Sequence, residues 1–296
     1  MNEELIVLVL ITLAAALVNG ALGHGFSSLT VPVALLFYTN RLLNPALVLL
    51  EVGINTYVTF MNRSSLPRVW RRAVPIVLGL VPGVIIGAFL LSTVNAEWLK
   101  LFVYGVLLPL ILLQAAGVRR PVKLTPTVGM PFGTALGVLY SLTTVSGPPL
   151  ALLFNNQGVV KQEFRVSLGI IRLAESVLTA IAYYHLRLYT AASLQLLAWV
   201  APSVVIGVPI GAVLIRRIDA EVFRRLCMSF DAWIVGFGLS KVLVALGLAA
   251  SPSAYLILLA VVMFDSALLT VFFSGRHFAP PLTVASGTDW EPAGKR

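Results

Sequence analysis

The chain has 296 residues, 58% of them hydrophobic and 11% charged, with a formal net charge of +9. Soluble domains carry about 25% charged residues, so a water-soluble fold is excluded, and no long soluble segment is left to house catalysis. The positive charge is not gathered into a basic domain with a reading motif, which excludes nucleic-acid binding, and the single Cys227 excludes an internal disulfide and a cysteine-rich metal site.

The first segment, MNEELIVLVLITLAAALVNGA, has the apolar length of a signal peptide but an acidic start, and is read as a retained membrane segment. It runs into GALGHGFSSLTVPVALLF at 20–37, where three glycines, His24 and Pro32 interrupt the apolar run. A helix from Phe26 to Tyr38 would be only about 20 Å long, against a hydrocarbon core of roughly 30 Å. The region 5–37 is therefore expected to be a helical hairpin of short or half-depth pieces. Continuous spans are predicted at 43–61, 73–92 and 97–116. A second interrupted hairpin covers 127–154, broken at VSGPPLALLF, and spans follow at 164–184, 191–215, 221–247 and 253–273.

The two interrupted regions are related. PVALLF at 32–37 matches PLALLF at 149–154, an offset of 117; GVIIGAFLL at 83–91 matches GVPIGAVLI at 207–215, and NAEW at 95–98 matches DAEV at 219–222, both at an offset of 124. A seven-residue insertion after Phe154 reconciles the offsets, and the chain reads as an internal repeat. The first copy occupies 1–123 and the second 124–247; residues 248–296 form an extra C-terminal helix and a cytoplasmic tail.

Lysine and arginine set the expected orientation. With Arg63, Arg68, Arg71 and Arg72 inside, the alternation of spans puts sixteen of the 21 basic residues inside, among them Arg216, Arg217, Arg224 and Arg225. The Arg-rich loop 62–72 then corresponds to the nearly uncharged 185–190, and the uncharged 92–96 to the Arg-rich 216–220. Matching segments lie on opposite faces. The expected architecture is all-α and polytopic, with two inverted-topology repeats, each a broken hairpin plus three spans. It has the N-terminus outside and the C-terminus in the cytoplasm, in the cell (inner) membrane. Inverted repeats with interrupted helices are the plan of secondary transporters, whose sites lie near mid-depth where the breaks meet.

Glycine and proline ease departure from helical geometry. An unwound backbone in the membrane must face protein or water, and a helix starting there offers free N–H groups and a positive dipole end to an anion. Close helix packing is the plainer reading of the glycines. The anion reading names Gly23, His24, Gly25, Ser27, Ser28 and Thr30 in the first half as substrate-binding. Thr143, Thr144, Ser146 and Gly147 are their counterparts in the second. Ionisable groups inside spans are costly and so are functional candidates. Glu51 and Glu175 are equivalent at an offset of 124, Asn55 follows Glu51 by one turn, and Asp231 and Asp265 have no obvious partner. Glu51, Asn55, Glu175 and Asp231 are expected to serve coupling or the pathway. Arg172, three residues before Glu175 on one helical face, has two readings. It is a structural ion-pair partner of Glu175, or it holds an anionic substrate while a glutamate carries a coupling proton. Lys241, near its helix end, is expected to snorkel. No metal-ligand cluster, cofactor motif or catalytic constellation is found.

These motifs resemble the TauE/SafE sulfite exporter family. The resemblance rests on Gly20, Gly23, Gly25 and Pro32, then on Ser146, Gly147, Pro148 and Pro149, NNQG at 155–158 and EFR at 163–165, and spans roughly 5–247. It implies a bacterial membrane protein of two related halves that exports small sulfur-containing anions such as sulfite or organosulfonates. The leading expectation is a secondary transporter of such an anion, working in the lipid bilayer by alternating access, coupled to protons or to the anion's own gradient, with no cofactor. Two alternatives stay open: a membrane scaffold or accessory protein, and a passive small-anion channel.

Overall fold

A computed structural model describes residues 3–22, 25–61, 63, 66–117, 126–155, 161–214 and 220–275. Among these are eleven α-helices and no strand: α1 (Glu3–Leu22), α2 (Phe26–Ala34), α3 (Asn40–Met61), α4 (Leu66–Thr93), α5 (Ala96–Ala115), α6 (Pro126–Thr143), α7 (Gly147–Asn155), α8 (Lys161–His185), α9 (Ala191–Leu214), α10 (Ala220–Ala245) and α11 (Leu256–Phe273). A 3-10 turn, Ser253–Tyr255, leads into α11. Eight of the helices are long and apolar enough to cross a bilayer. The chain is a polytopic all-α membrane protein.

All seven predicted continuous spans are helical. The first interrupted region departs from the expectation in one respect: α1 has 20 residues and is itself long enough to cross. Only the second limb, α2, is short, with nine residues. The acidic start of the chain has a local use, because Glu3 and Glu4 sit in the first turn of α1, where the helix dipole favours negative charge.

Lipid is as apolar as leucine, so helices in a bilayer associate through close packing and hydrogen bonds instead of hydrophobic burial. The glycine-rich stretches supply that closeness. α4 runs along α6 and α1 along α9. A methyl group added to Gly83 would overlap the Thr134 carbonyl, and one on Gly211 would overlap that of Leu17. Gly83 and Gly87 match Gly207 and Gly211 at the 124 offset, so the repeated motif GxxxG is the contact surface of α4 in one half and of α9 in the other. Most of the larger contacts between the two sequence halves follow one rule. α4 touches α8 while α3 touches α9, α10 touches α2 while α5 touches α7, and α3 pairs with α8 as α5 pairs with α10. Exchanging α1–α5 with α6–α10 maps this set of pairs onto itself.

α11 lies outside that exchange and packs on α10 and α5. Its only buried side chains are Val261 and Asp265. Asp265 takes a 2.8 Å ion pair from Arg225 Nη2 on α10, both groups buried. This adds to the sequence reading, which leaves Asp265 without an obvious partner: Arg225, within the predicted span 221–247, is that partner. The residue at the equivalent position of α5 is the apolar Leu101.

Candidate functional site

Both interruptions sit where the sequence put them, and each turns on one residue with positive φ. Gly25, at φ 109°, is the N-cap of α2. In the second half the residue is Thr144, at φ 56°, a conformation unfavourable for a β-branched side chain. The hydroxyls around it offset that cost. Thr143 Oγ1 donates to Leu139 O (2.7 Å) and accepts from Val145 N (2.9 Å), and Thr144 Oγ1 donates to Thr143 O (2.7 Å). Neighbouring helices satisfy the carbonyls that α6 loses at its end. Asn40 and Asn44 Nδ2 both donate to Leu142 O, at 3.2 and 2.7 Å, and Tyr183 donates to Ser141 O. An unwound backbone at membrane depth needs such partners. Thr143 and Thr144 thus donate their hydroxyl hydrogens to backbone carbonyls in and beside the break.

The starts of the two short helices come together. Gly25 and Ser28 from α2, Gly147 and Pro148 from α7, and Asp231 from α10 line one small cavity of about 40 Å³. A water needs about 10–15 Å³ on that measure, so the space suits roughly three water-sized groups, the scale of a small oxyanion. As at any helix start, the first-turn amides of α2 have no carbonyl within the helix to bond. α7 differs: Pro148 and Pro149 carry no N–H, and Leu150 N bonds Ser146 O (3.2 Å), which leaves only the Gly147 amide as donor in its first turn. The expected pair of amide donor sets is therefore lopsided in favour of α2. Oδ1 of Asp231 is buried and has no hydrogen-bond partner among the described residues.

Behind these helix starts lies a buried ionic network that joins both halves. Arg172 Nη2 on α8 bonds Glu51 Oε1 on α3 at 2.8 Å; the two residues are 3% and 1% exposed. Ser27, in the first turn of α2, donates to the same oxygen, and Tyr140 OH on α6 donates to Glu51 Oε2 at 2.6 Å. Glu51 thus receives one charged and two neutral donors. Glu175, the equivalent carboxylate, has less: Ser146 Oγ, just before α7, donates to its Oε2 at 2.6 Å, and its Oε1 has no partner among the described residues. Each glutamate is tied by a serine to the start of a short helix. The predicted pairing of Arg172 with Glu175 is replaced by a pairing across the two halves. A side chain on α8 reaches α3 because those helices pack together, which sequence spacing does not reveal.

Of the remaining expected residues, Asn55 Nδ2 donates to Arg172 O (3.3 Å) and so holds the backbone that carries the arginine. Thr30 is buried and its hydroxyl has no partner among the described residues. Gly23 and His24 lie outside the described residues. Lys241 Nζ reaches Leu36 O (3.4 Å), just past the end of α2. Tyr140 was not anticipated. Its signal is faint, a single polar ring one turn before the break in an otherwise apolar GVLYSLTT.

Fold and site together define a polytopic membrane protein whose two interrupted hairpins meet at a small cavity backed by buried charge. A family model described as sulfite exporter TauE/SafE matches residues 8–236, and the chain belongs to that family. At family level it is a membrane exporter of sulfite or a related anion. Searches of curated proteins and of solved structures return no match.

Proposed function

We propose that the protein is a secondary transporter that exports a small sulfur-containing anion, sulfite or an organosulfonate, by alternating access between two inverted halves, 1–123 and 124–247. The observation that carries this reading is the meeting of both short-helix starts at one cavity, with Glu51, Arg172 and Glu175 from the two halves directly behind it. Helix pairs that map onto themselves when the halves are exchanged support it. So does the basic-residue bias, which favours an N-terminus outside and a C-terminus in the cytoplasm of a cell-membrane protein.

The anion sits against the first turn of α2, where the helix dipole and its unpaired amides favour negative charge. Coupling follows from charge balance. One guanidinium faces two glutamates, and with both ionised the network carries an excess negative charge that opposes an incoming anion. A proton on Glu175 removes that excess. Asp231, at the cavity wall, is the second carrier. Outward passage of the anion is then linked to carboxyl protonation on one face and release on the other.

The test is flux into and out of liposomes containing the purified protein, with sulfite, taurine-like sulfonates, sulfate and short carboxylates offered in turn. Sulfite or sulfonate flux above that of empty vesicles, dependent on an imposed pH difference, is the expected result. No flux of any of these anions removes the transporter reading. Flux that follows only the anion's own gradient and ignores pH replaces coupling with passive conduction.

A further inference from the structure

Taking the two-half arrangement above as its premise, we propose that Tyr104 and Gly238 are the gate that closes the transport path on the side opposite the cavity. The structure is then open on one side only.

α5 and α10, which pack together, are equivalent helices. Both open on Ala-Glu followed three residues later by a base, and the ion pairs are equivalent: Lys100 Nζ to Glu97 Oε1 at 3.3 Å, Arg224 Nη2 to Glu221 Oε1 at 2.9 Å. The offset of 124 can therefore be followed along them. On the open side, Gln114 near the end of α5 and Met228 and Asp231 near the start of α10 line the cavity. Their equivalents are Gly238, Tyr104 and Leu107. Here there is no space: Tyr104 is 1% and Leu107 0% exposed. The Tyr104 ring lies so close to Gly238 that a Cβ there would overlap it, and the hydroxyl donates to Pro32 O at 2.9 Å.

That carbonyl is free for a local reason. Leu36 N, the partner Pro32 O would have in a longer helix, bonds Val33 O instead, so Tyr104 closes the exposed end of α2. Lys241, one turn beyond Gly238, ties α10 to Leu36 O at the same end. One face of α2 thus looks into the cavity through Gly25 and Ser28, and its far end is plugged. A methionine opposite a glutamine leaves room where a tyrosine ring seated on a glycine leaves none. If the halves exchange roles during transport, the ring must leave Gly238 and the Pro32 bond must break.

Cys227 is the only cysteine of the chain and lines the cavity, which makes it a built-in reporter of the open side. The experiment measures the rate at which a bulky polar maleimide labels it in nanodiscs, where both faces are reachable and no substrate is needed. Gly238→Ala puts a Cβ where the Tyr104 ring now lies and forces the ring out. Cys227 labelling is expected to fall by about tenfold as the population shifts. The thiol of a Leu107→Cys variant, built on Cys227→Ser, is expected to gain by a similar factor. Tyr104→Ala, which adds no atoms, gives the same rise at position 107 should Gly238→Ala fail to fold, and Tyr104→Phe gives a smaller one. Folded Gly238→Ala or Tyr104→Ala protein with both rates within twofold of the parent overturns the gate. Altered labelling without flux of any tested anion keeps the gate and removes the proposed substrate.

Discussion

Replacing Arg172 by methionine isolates the ion pair at the centre of the network. The substitution keeps an unbranched side chain in α8 and leaves the Glu51 carboxylate buried, with only Ser27 and Tyr140 as donors. Removing one member of a buried pair costs about 3–5 kcal/mol, because the remaining charge is uncompensated. Glu51→Gln alone is expected to cost a similar amount, since the guanidinium then has no anion among its described partners. The double variant carries neither charge and should recover most of the loss, because a neutral replacement of similar volume is often no less stable than the pair. A double-mutant cycle on reversible unfolding in mixed detergent, followed by helical circular dichroism, should therefore give a coupling of about 5 kcal/mol or more, because two losses of about 3–5 kcal/mol are replaced by a small one. A coupling below about 0.5 kcal/mol, the ordinary error of additivity, would refute the pairing. Flux separates the two roles of the arginine. If the pair serves structure only, the double variant regains transport together with stability; if either Arg172 or Glu51 takes part in transport, stability returns and transport does not.

Two further predictions concern packing. Gly83→Ala places a methyl group into the Thr134 carbonyl and should cost about 1–3 kcal/mol or more by separating α4 from α6. Gly53→Ala, where nothing lies within 4 Å, should be neutral or stabilising by up to about 1 kcal/mol through helix propensity. Thermal unfolding of the two variants should differ in sign, and equal destabilisation would refute the close-approach reading. Asp265→Ala leaves Arg225 buried without its carboxylate and should cost about 3–5 kcal/mol, read as earlier proteolytic loss of α11 than in the parent protein. A paired Arg225→Met and Asp265→Leu protein should retain α11. Equal protection of the single variant and the parent would show that the ion pair does not hold this helix.

Hydropathy, glycine and proline alone determined that this is a polytopic helical membrane protein, where seven of its eight long apolar helices lie and where its two hairpins break. Those are consequences of local rules: a run of about 20 apolar residues is needed to cross, and glycine together with proline lowers the cost of a break, although single prolines such as Pro75 and Pro82 lie inside the continuous α4. The repeat was legible for the same reason, since GVIIGAF and GVPIGAV recur as strings whatever they touch. Partnership was not legible. Arg172 is three residues from Glu175 in sequence yet bonds Glu51, 121 positions away, and Arg225 reaches Asp265 across 40. Such pairs depend on which helix faces come together, and within lipid that is settled by backbone approach at glycines scattered along the chain. The hydroxyls of Thr143 and Thr144 illustrate the same limit: sequence offers a donor, but only the fold shows that it goes to a backbone carbonyl, Leu139 O in α6 and Thr143 O at the break. Tertiary packing likewise made two equivalent helix ends unequal, seating a tyrosine ring on Gly238 and leaving space beside Gln114, because a side chain fills whatever volume its neighbours leave.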